Sequence, residues 1–345
     1  MAAERAPLRW GIIGAGEIAN RGMAPALNAA ADTELGAVQC RTLDKARAFA
    51  DKHKAAKAYD SLEKMLGDPD LDAVYIATPN SLHAAHAIAA AKAGKHVLCE
   101  KPMATTVRDA EAMIEACERH QVKLGVVFQH RYHTAHLKAR ACVQSHALGD
   151  IDLATVQICR GFRRGAHWSG WRIDPVMSGS GAIVGQGVHA FDLLRHLLDA
   201  EVTEVQAMTD EAPPKMPIEE MSYTLLRFTN GTHGMVVAGT LLPRYDNDVV
   251  LYGAQAKLAC RATMGVSRAN VQAQMTLETE GSNVSIDIAG DNSQAGRMAR
   301  MVEDFSRSIR ENTAPALSGA NGLQLVRIAT AVQESSRQRK AVVVD

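Results

Sequence analysis

Apolar positions follow two different rhythms along this chain, and the rhythm changes near residue 150. From residue 8 to about 127, short continuous apolar runs (8–13, 35–40, 73–77, 96–99 and 123–128) alternate with alanine-rich stretches. Runs that are apolar on both sides predict strands buried on both faces, and their alternation with helices predicts right-handed βαβ units around a parallel sheet. The segments 43–54 and 106–120 carry helix formers with apolar residues at helical spacing, as the connecting helices require.

Beyond about Ile151 the runs become alternating and rich in Thr and Val, among them 223–228 and 233–240, joined through Thr229-Asn230-Gly231. Asn-Gly between two such runs signals a hairpin. A helix at 188–198 follows a Gly-rich turn, and helices near 297–310 and 322–337 close the chain. The expected fold is α/β: an N-terminal doubly wound parallel sheet of Rossmann type, then an α+β domain with a large, mostly antiparallel open sheet. The boundaries read as 1–127 for a dinucleotide-binding domain and 128–345 for a substrate-binding and oligomerisation domain, with the last helix packing back on the first.

Length agrees, since 345 residues exceed a comfortable single core. Composition then removes whole classes of function. A net charge of +0 with only 4% aromatic residues provides neither the electrostatic footprint nor the stacking platform of a nucleic-acid binder. No apolar run approaches the roughly 20 residues of a membrane span, and the opening Met1 to Pro7 lacks a signal-peptide core, so a cytoplasmic protein acting on a small molecule is expected. The six cysteines are scattered, without C-x-x-C spacing, and read as reduced thiols.

The chemistry begins at Trp10-Gly11-Ile12-Ile13, which runs into Gly14-Ala15-Gly16-Glu17-Ile18-Ala19. This is G-x-G-x-x-A after a strand and before a helix: Gly14 for the tight turn, Gly16 for close approach of a pyrophosphate, Ala19 for close helix packing, with phosphate at the helix amino terminus. At the end of the second strand an NAD-specific site places an acid for the ribose 2′-hydroxyl, but this chain has Cys40-Arg41-Thr42. Glu34 begins that strand and so sits at the wrong end. Arg41, with Thr42, suits a 2′-phosphate, which favours NADP(H) with NAD(H) still open.

The run Ala93-Gly94-Lys95-His96-Val97-Leu98-Cys99-Glu100-Lys101-Pro102 delivers an acid, a lysine and a proline to the carboxyl end of a strand, where ligands of open parallel sheets bind. Burial beside a cofactor would lower the lysine pKa toward neutrality, and Pro102 invites a cis bond that aims Lys101. Together with Gly14-Ala15-Gly16 and Ala77-Thr78-Pro79-Asn80-Ser81-Leu82-His83, this run closely resembles the Gfo/Idh/MocA oxidoreductases. Gly170-Trp171-Arg172, the segment from Gly181 to Asp192, and the turn from Pro315 to Gly322 extend the resemblance over nearly the whole chain.

The resemblance implies an NAD(P)-dependent enzyme acting on a CH–OH group of a sugar, a cyclitol or a related compound. It implies Lys101 as the proton donor or acceptor at the reacting carbon, in contact with cofactor and substrate, and His189 facing the substrate oxygen. It implies cofactor contacts from Glu100, Thr78, Pro79, Asn80 and His83, and from Trp171 and Arg172. Arg131 and Tyr132, like the family's Arg-aromatic pair, are expected to line the interdomain cleft, with Arg131, Trp171 and Asp192 among the substrate contacts. The family commonly buries its open sheet against a partner subunit, so a homodimer or homotetramer is expected.

One position departs from the family. Four residues before His189 the usual D-x-x-x-H-x-x-D begins with aspartate, and here stands Gly185. Its loss puts the full proton relay in doubt and favours one other reading, a non-catalytic dinucleotide sensor; the resemblance also leaves open an NAD-dependent glycosidase or lyase using transient oxidation. Asp192 either bonds a substrate hydroxyl, holds His189 or pairs with Arg195. His130, His133 and His136 recur every third residue on one side of an expected helix, but no acid or cysteine completes a metal set, and no metal is expected. Trp168 and Trp171 either cover the nicotinamide or a sugar face, or pack in a core.

Overall fold

A computed structural model describes residues 6–162, 164–165, 169–210, 217–242, 245–265 and 271–345; Trp168 lies outside the described residues. The chain forms two compact units: Met1–Gln129 with Asp291–Leu323, and His130–Gly290 with Gln324–Asp345.

The first unit is built on six parallel strands, β1 (Leu8–Ile13), β2 (Thr33–Gln39), β3 (Lys57–Tyr59), β4 (Ala73–Ile76), β5 (His96–Cys99) and β6 (Leu124–Val126), in the order β3-β2-β1-β4-β5-β6. This is the doubly wound order, and the winding reverses between β1 and β4, where the carboxyl-end loops diverge and leave a ligand crevice. The apolar runs behave as expected: Ile12, Ile13, Val74, Tyr75, Ile76, Val97 and Leu98 are fully buried. β3 escapes sequence reading because it has three residues and no apolar run.

Trp10 packs on Phe305 from the helix Gln294–Arg310, with ring centroids 5.9 Å apart. Gly125 in β6 makes room for that phenylalanine, since a Cβ there would stand 2.6 Å from its Cε2. The late helix thus seals the β1–β6 side of the first sheet.

The second unit carries nine strands: β7 (Ile151–Cys159), β8 (Val202–Thr209), β9 (Met221–Phe228), β10 (His233–Gly239), β11 (Val249–Gly253), β12 (Lys257–Arg261), β13 (Gln274–Thr279), β14 (Ser282–Ile286) and β15 (Val342–Val343). Their order is β14-β13-β12-β11-β7-β10-β9-β8-β15, antiparallel throughout except where β10 runs parallel to β7. The Asn-Gly signal is a hairpin between β9 and β10, with Gly231 at φ +87°.

One face of this sheet is buried and includes Val205, Leu226, Val236, Ile158 and Leu251; the helix Val188–Leu198 belongs to the same apolar core. The opposite face exposes Met208, Tyr223, Leu225, Met235, Leu153 and Tyr252. Strand register sets these side by side, with Met208 opposite Tyr223 and Leu225 opposite Met235, so they form one apolar surface. Among the described residues no helix is long and apolar enough to cross a membrane.

Candidate functional site

At the carboxyl end of β1, Gly14 takes φ +101°, a conformation that side chains rarely adopt. A Cβ at Gly14 would meet the Ala77 carbonyl oxygen at 2.7 Å and Thr78 Cγ2 at 3.2 Å, so the glycine turn lies directly against the loop after β4. Around Gly16 the space is open, the nearest atom to a built Cβ being the Ala77 carbonyl oxygen at 3.9 Å. The helix begins at Glu17, and from Ala19 to Met23 it is a wide π turn. Ala19 is fully buried, Ile18 half-buried, and Glu17 points outward to pair with Arg21 at 2.5 Å. A positive-φ glycine, an open second glycine and a helix amino terminus form a cradle that fits a dinucleotide pyrophosphate.

The carboxyl end of β2 presents Arg41 and Thr42. Arg41 is exposed. Glu34 lies at the opposite end of the strand, paired with Arg9 at 3.4 Å, which keeps it away from any ribose at the crevice.

β4 and β5 end in polar groups held from below. Tyr75, fully buried in β4, donates its hydroxyl to Glu100 Oε1 at 2.6 Å, and the backbone N–H of Lys101 donates to Glu100 Oε2 at 3.3 Å. Burial pushes the Glu100 carboxyl above the ordinary carboxylate range, against the opposing pull of Tyr75 and Lys101. The next peptide, Lys101–Pro102, is cis, as the sequence invites. Lys101 itself is half-buried, on a turn whose neighbours Glu100, Pro102 and Met103 are buried.

Thr78, Pro79 and Asn80 are half-buried in the loop after β4, and Thr78 Oγ1 lies 3.1 Å from His86 Nδ1. His83 behaves differently. It has no exposed surface, its Nδ1 is 2.8 Å from the Pro102 carbonyl oxygen, and its Nε2 is 3.0 Å from that of Thr78. Its ring lies between the two loops, a carbonyl oxygen of each within hydrogen-bond distance of one ring nitrogen.

In the second unit, His189 sits on the helix Val188–Leu198, which continues the π turn Ile183–Gly187 containing Gly185. The His130 ring meets His189 edge-on, with centroids 4.8 Å apart and planes at 74°. Asp192 is fully buried and takes Arg131 in a bidentate pair, Nε to Oδ2 at 2.8 Å and Nη2 to Oδ1 at 2.5 Å. Arg195 turns to Glu201 instead, at 2.6 and 2.7 Å. Asp192 therefore pairs with Arg131, a partner that the sequence reading did not offer, and the expected pair with Arg195 does not form.

The three spaced histidines do not share a helical face. His130 lies in a short turn, His133 caps the helix Thr134–Gln144 by accepting from the Ala135 N–H, and His136 Nδ1 bonds the His130 carbonyl oxygen at 2.7 Å. Among the described residues no group of three potential ligands is placed to hold a metal ion. Trp171 is half-buried, with the Arg172 guanidinium 4.6 Å from its ring centre. Sequence reasoning did not single out Tyr75; its only signal was an aromatic hydroxyl inside an otherwise apolar strand.

Residues 8–128 match the oxidoreductase family with an NAD-binding Rossmann fold, GFO_IDH_MocA, and residues 136–259 match the GFO/IDH/MocA C-terminal domain; together they cover more than half of the chain. The chain belongs to the Gfo/Idh/MocA family. It is therefore an NAD(P)-dependent oxidoreductase. Its relatives include 1,5-anhydro-D-fructose reductase of Ensifer adhaerens, 34% identical over 224 residues, which are 65% of this chain and 66% of that protein. D-xylose 1-dehydrogenase (NADP(+)) 2 of Haloferax volcanii is 28% identical over 98% of this chain and 100% of its own length. Aldose-aldose oxidoreductase from Caulobacter crescentus shares the fold at a TM-score of 0.87, with 24% identity, 98% of this chain and 99% of that one covered.

Burial pushes the His83 pKa down from 6.5 to about 4. Because the unfolded chain binds this proton more readily, His83 takes stability away as pH falls from 6.5 to about 4, and removes none above that window. The loss is of the order of 3 kcal/mol for the ligand-free protein. Denaturant titrations across this range should show a shallower acid loss in His83→Gln than in the wild type; identical slopes would mean that the ring does not titrate between the two states.

Proposed function

We propose that this chain is an NADP(H)-preferring oxidoreductase that moves a hydride between nicotinamide and a C–O carbon of a sugar, a cyclitol or a related compound, with Lys101 as the proton donor or acceptor. The observation that carries the reading is the turn after β5. Lys101 leaves the sheet beside the loop that the glycine turn touches, on a carrier fixed by Tyr75, Glu100 and His83. The named activities of the relatives, a reductase of an anhydro-sugar and an NADP(+)-dependent sugar dehydrogenase, support the substrate class.

When bound, the nicotinamide ring supplies or accepts the hydride, which no side chain can do. Gly14, Gly16 and the helix opening at Glu17 hold the pyrophosphate; Thr78, Pro79, Asn80 and Glu100 border the ribose and ring. Arg41 and Thr42 take the 2′-phosphate, a role supported by the exposed guanidinium at the end of β2 and by Glu34 lying at the other end. Lys101 donates a proton to the substrate oxygen in reduction and removes it in oxidation. His189 assists by hydrogen bonding, steadied by the edge of His130 rather than by a carboxylate at 185. Arg131 and Asp192 act on the pocket as a pair, by fixing the helix that carries His189. Trp171 and Arg172, stacked together, offer a face to cofactor and substrate.

The same reading has the protein work in the cytoplasm as a homodimer or homotetramer, with six free cysteines. The exposed apolar face of the second sheet is the surface a second copy would cover. Sedimentation of the wild type should give a dimer or tetramer, and Leu225→Lys with Met235→Lys should lower the oligomeric state; a wild-type monomer contradicts the assembly.

Initial rates with a panel of keto sugars test the chemistry. Wild-type turnover is expected to be faster with NADPH than with NADH, and Lys101→Ala should lose roughly a hundredfold or more while still binding NADPH. Equal turnover by the variant would remove the lysine from the mechanism.

A further inference from the structure

One buried side chain of the first unit faces more acceptors than it has protons. His83 opens the helix His83–Lys92, with Nδ1 2.8 Å from the Pro102 carbonyl oxygen and Nε2 3.0 Å from the Thr78 carbonyl oxygen. Carbonyl oxygens only accept, so both contacts are hydrogen bonds only if both ring nitrogens carry hydrogen, and a neutral imidazole has one N–H. Burial opposes charging the ring. So do His86, one turn along the same helix, and Lys101 on the turn after β5, the charged neighbours that bear on it. Its place in the first turn of a helix adds to this opposition, because that end of the helix dipole favours anions. In the protein by itself the ring therefore bonds one carbonyl at a time, and the other oxygen faces a nitrogen lone pair.

A dinucleotide changes the balance. Its pyrophosphate places negative charge at the glycine turn, and Gly14 lies against Ala77 and Thr78, the loop that supplies one of the two carbonyls. Negative charge brought near a buried ring favours its protonated form. The two waiting carbonyl oxygens then become hydrogen-bond acceptors for a cation, which strengthens both bonds.

We propose that His83 is a positioning residue whose ring takes up a proton from solvent when a dinucleotide binds, bonding both carbonyls together and locking the loop after β4 to the turn that carries Lys101. The proposal rests on the oxidoreductase reading above. It differs from a contact between His83 and the cofactor, which full burial of the ring does not allow in this structure. Its thermodynamic consequence is a cofactor affinity that rises as pH falls below neutrality, since binding and proton uptake are linked.

Isothermal titration calorimetry of the whole protein in mildly acidic buffers of differing ionisation enthalpy reads the protons taken up directly. NAD+ serves as one probe because it lacks a titrating 2′-phosphate, and NADP+ as the other. The wild type should take up about one proton per bound nucleotide; His83→Gln should take up much less and bind roughly tenfold more weakly, the worth of one charge-assisted hydrogen bond. Nitrogen-15 histidine spectra of the wild type need no variant and should show one ring passing from singly to doubly protonated as nucleotide is added. Buffer-independent heats in the wild type, unchanged uptake in His83→Gln, or no new doubly protonated ring would overturn the proposal. Failure of both nucleotides to bind would instead overturn the oxidoreductase reading beneath it.

Discussion

A parallel sheet that offers its carboxyl ends to a ligand leaves peptide and side-chain polar groups there outside the strand ladder, and burial makes each unpaired one expensive. In the first unit that requirement shapes the site. Tyr75 reaches up from β4 to hold Glu100, Glu100 accepts from the Lys101 N–H, and His83 reaches the Pro102 and Thr78 carbonyls. None of these three side chains needs to touch a substrate to matter. They make a firm carrier for Lys101, which remains half-buried on top of it.

The second unit solves a different problem with similar means. Its helix Val188–Leu198 carries His189 while being almost wholly buried. Gly185 supplies no carboxylate, and the stiffening comes from elsewhere: the bidentate Arg131–Asp192 pair and the edge of the His130 ring against His189. Breaking one partner of such a buried pair leaves an uncompensated charge, so the arrangement is rigid even where its net contribution to stability is small.

The course of the chain was largely legible because continuous apolar runs and alternating runs are direct consequences of burial on two faces or on one. β1, β5 and β10 fall where the pattern puts them. β3 was missed because three residues, Lys57 to Tyr59, leave no period to read. Gly14 was legible because a turn with its positive φ, packed against Ala77, tolerates few other residues, and Gly16 because it follows at the motif's spacing. Pairing between residues distant in sequence was not: Arg131 and Asp192 lie 61 positions apart, and nothing in composition chooses Arg131 over the nearby Arg195. The regular spacing of His130, His133 and His136 suggested one helical face, whereas a turn precedes the helix there, His133 caps that helix and His136 bonds the His130 carbonyl oxygen. His83 shows the same limit, since a motif can mark a residue as belonging to a cofactor site without saying that it works from underneath.

The account stands or falls on where the Lys101 ammonium lies when the protein holds its cofactor. A crystal structure with NADPH bound measures this most directly. The account predicts Lys101 Nζ within hydrogen-bond reach, about 3 Å, of the nicotinamide ribose or of the space beside the ring where a substrate oxygen fits. An Nζ turned to bulk water, with the ring bound against some other part of the protein, would contradict it.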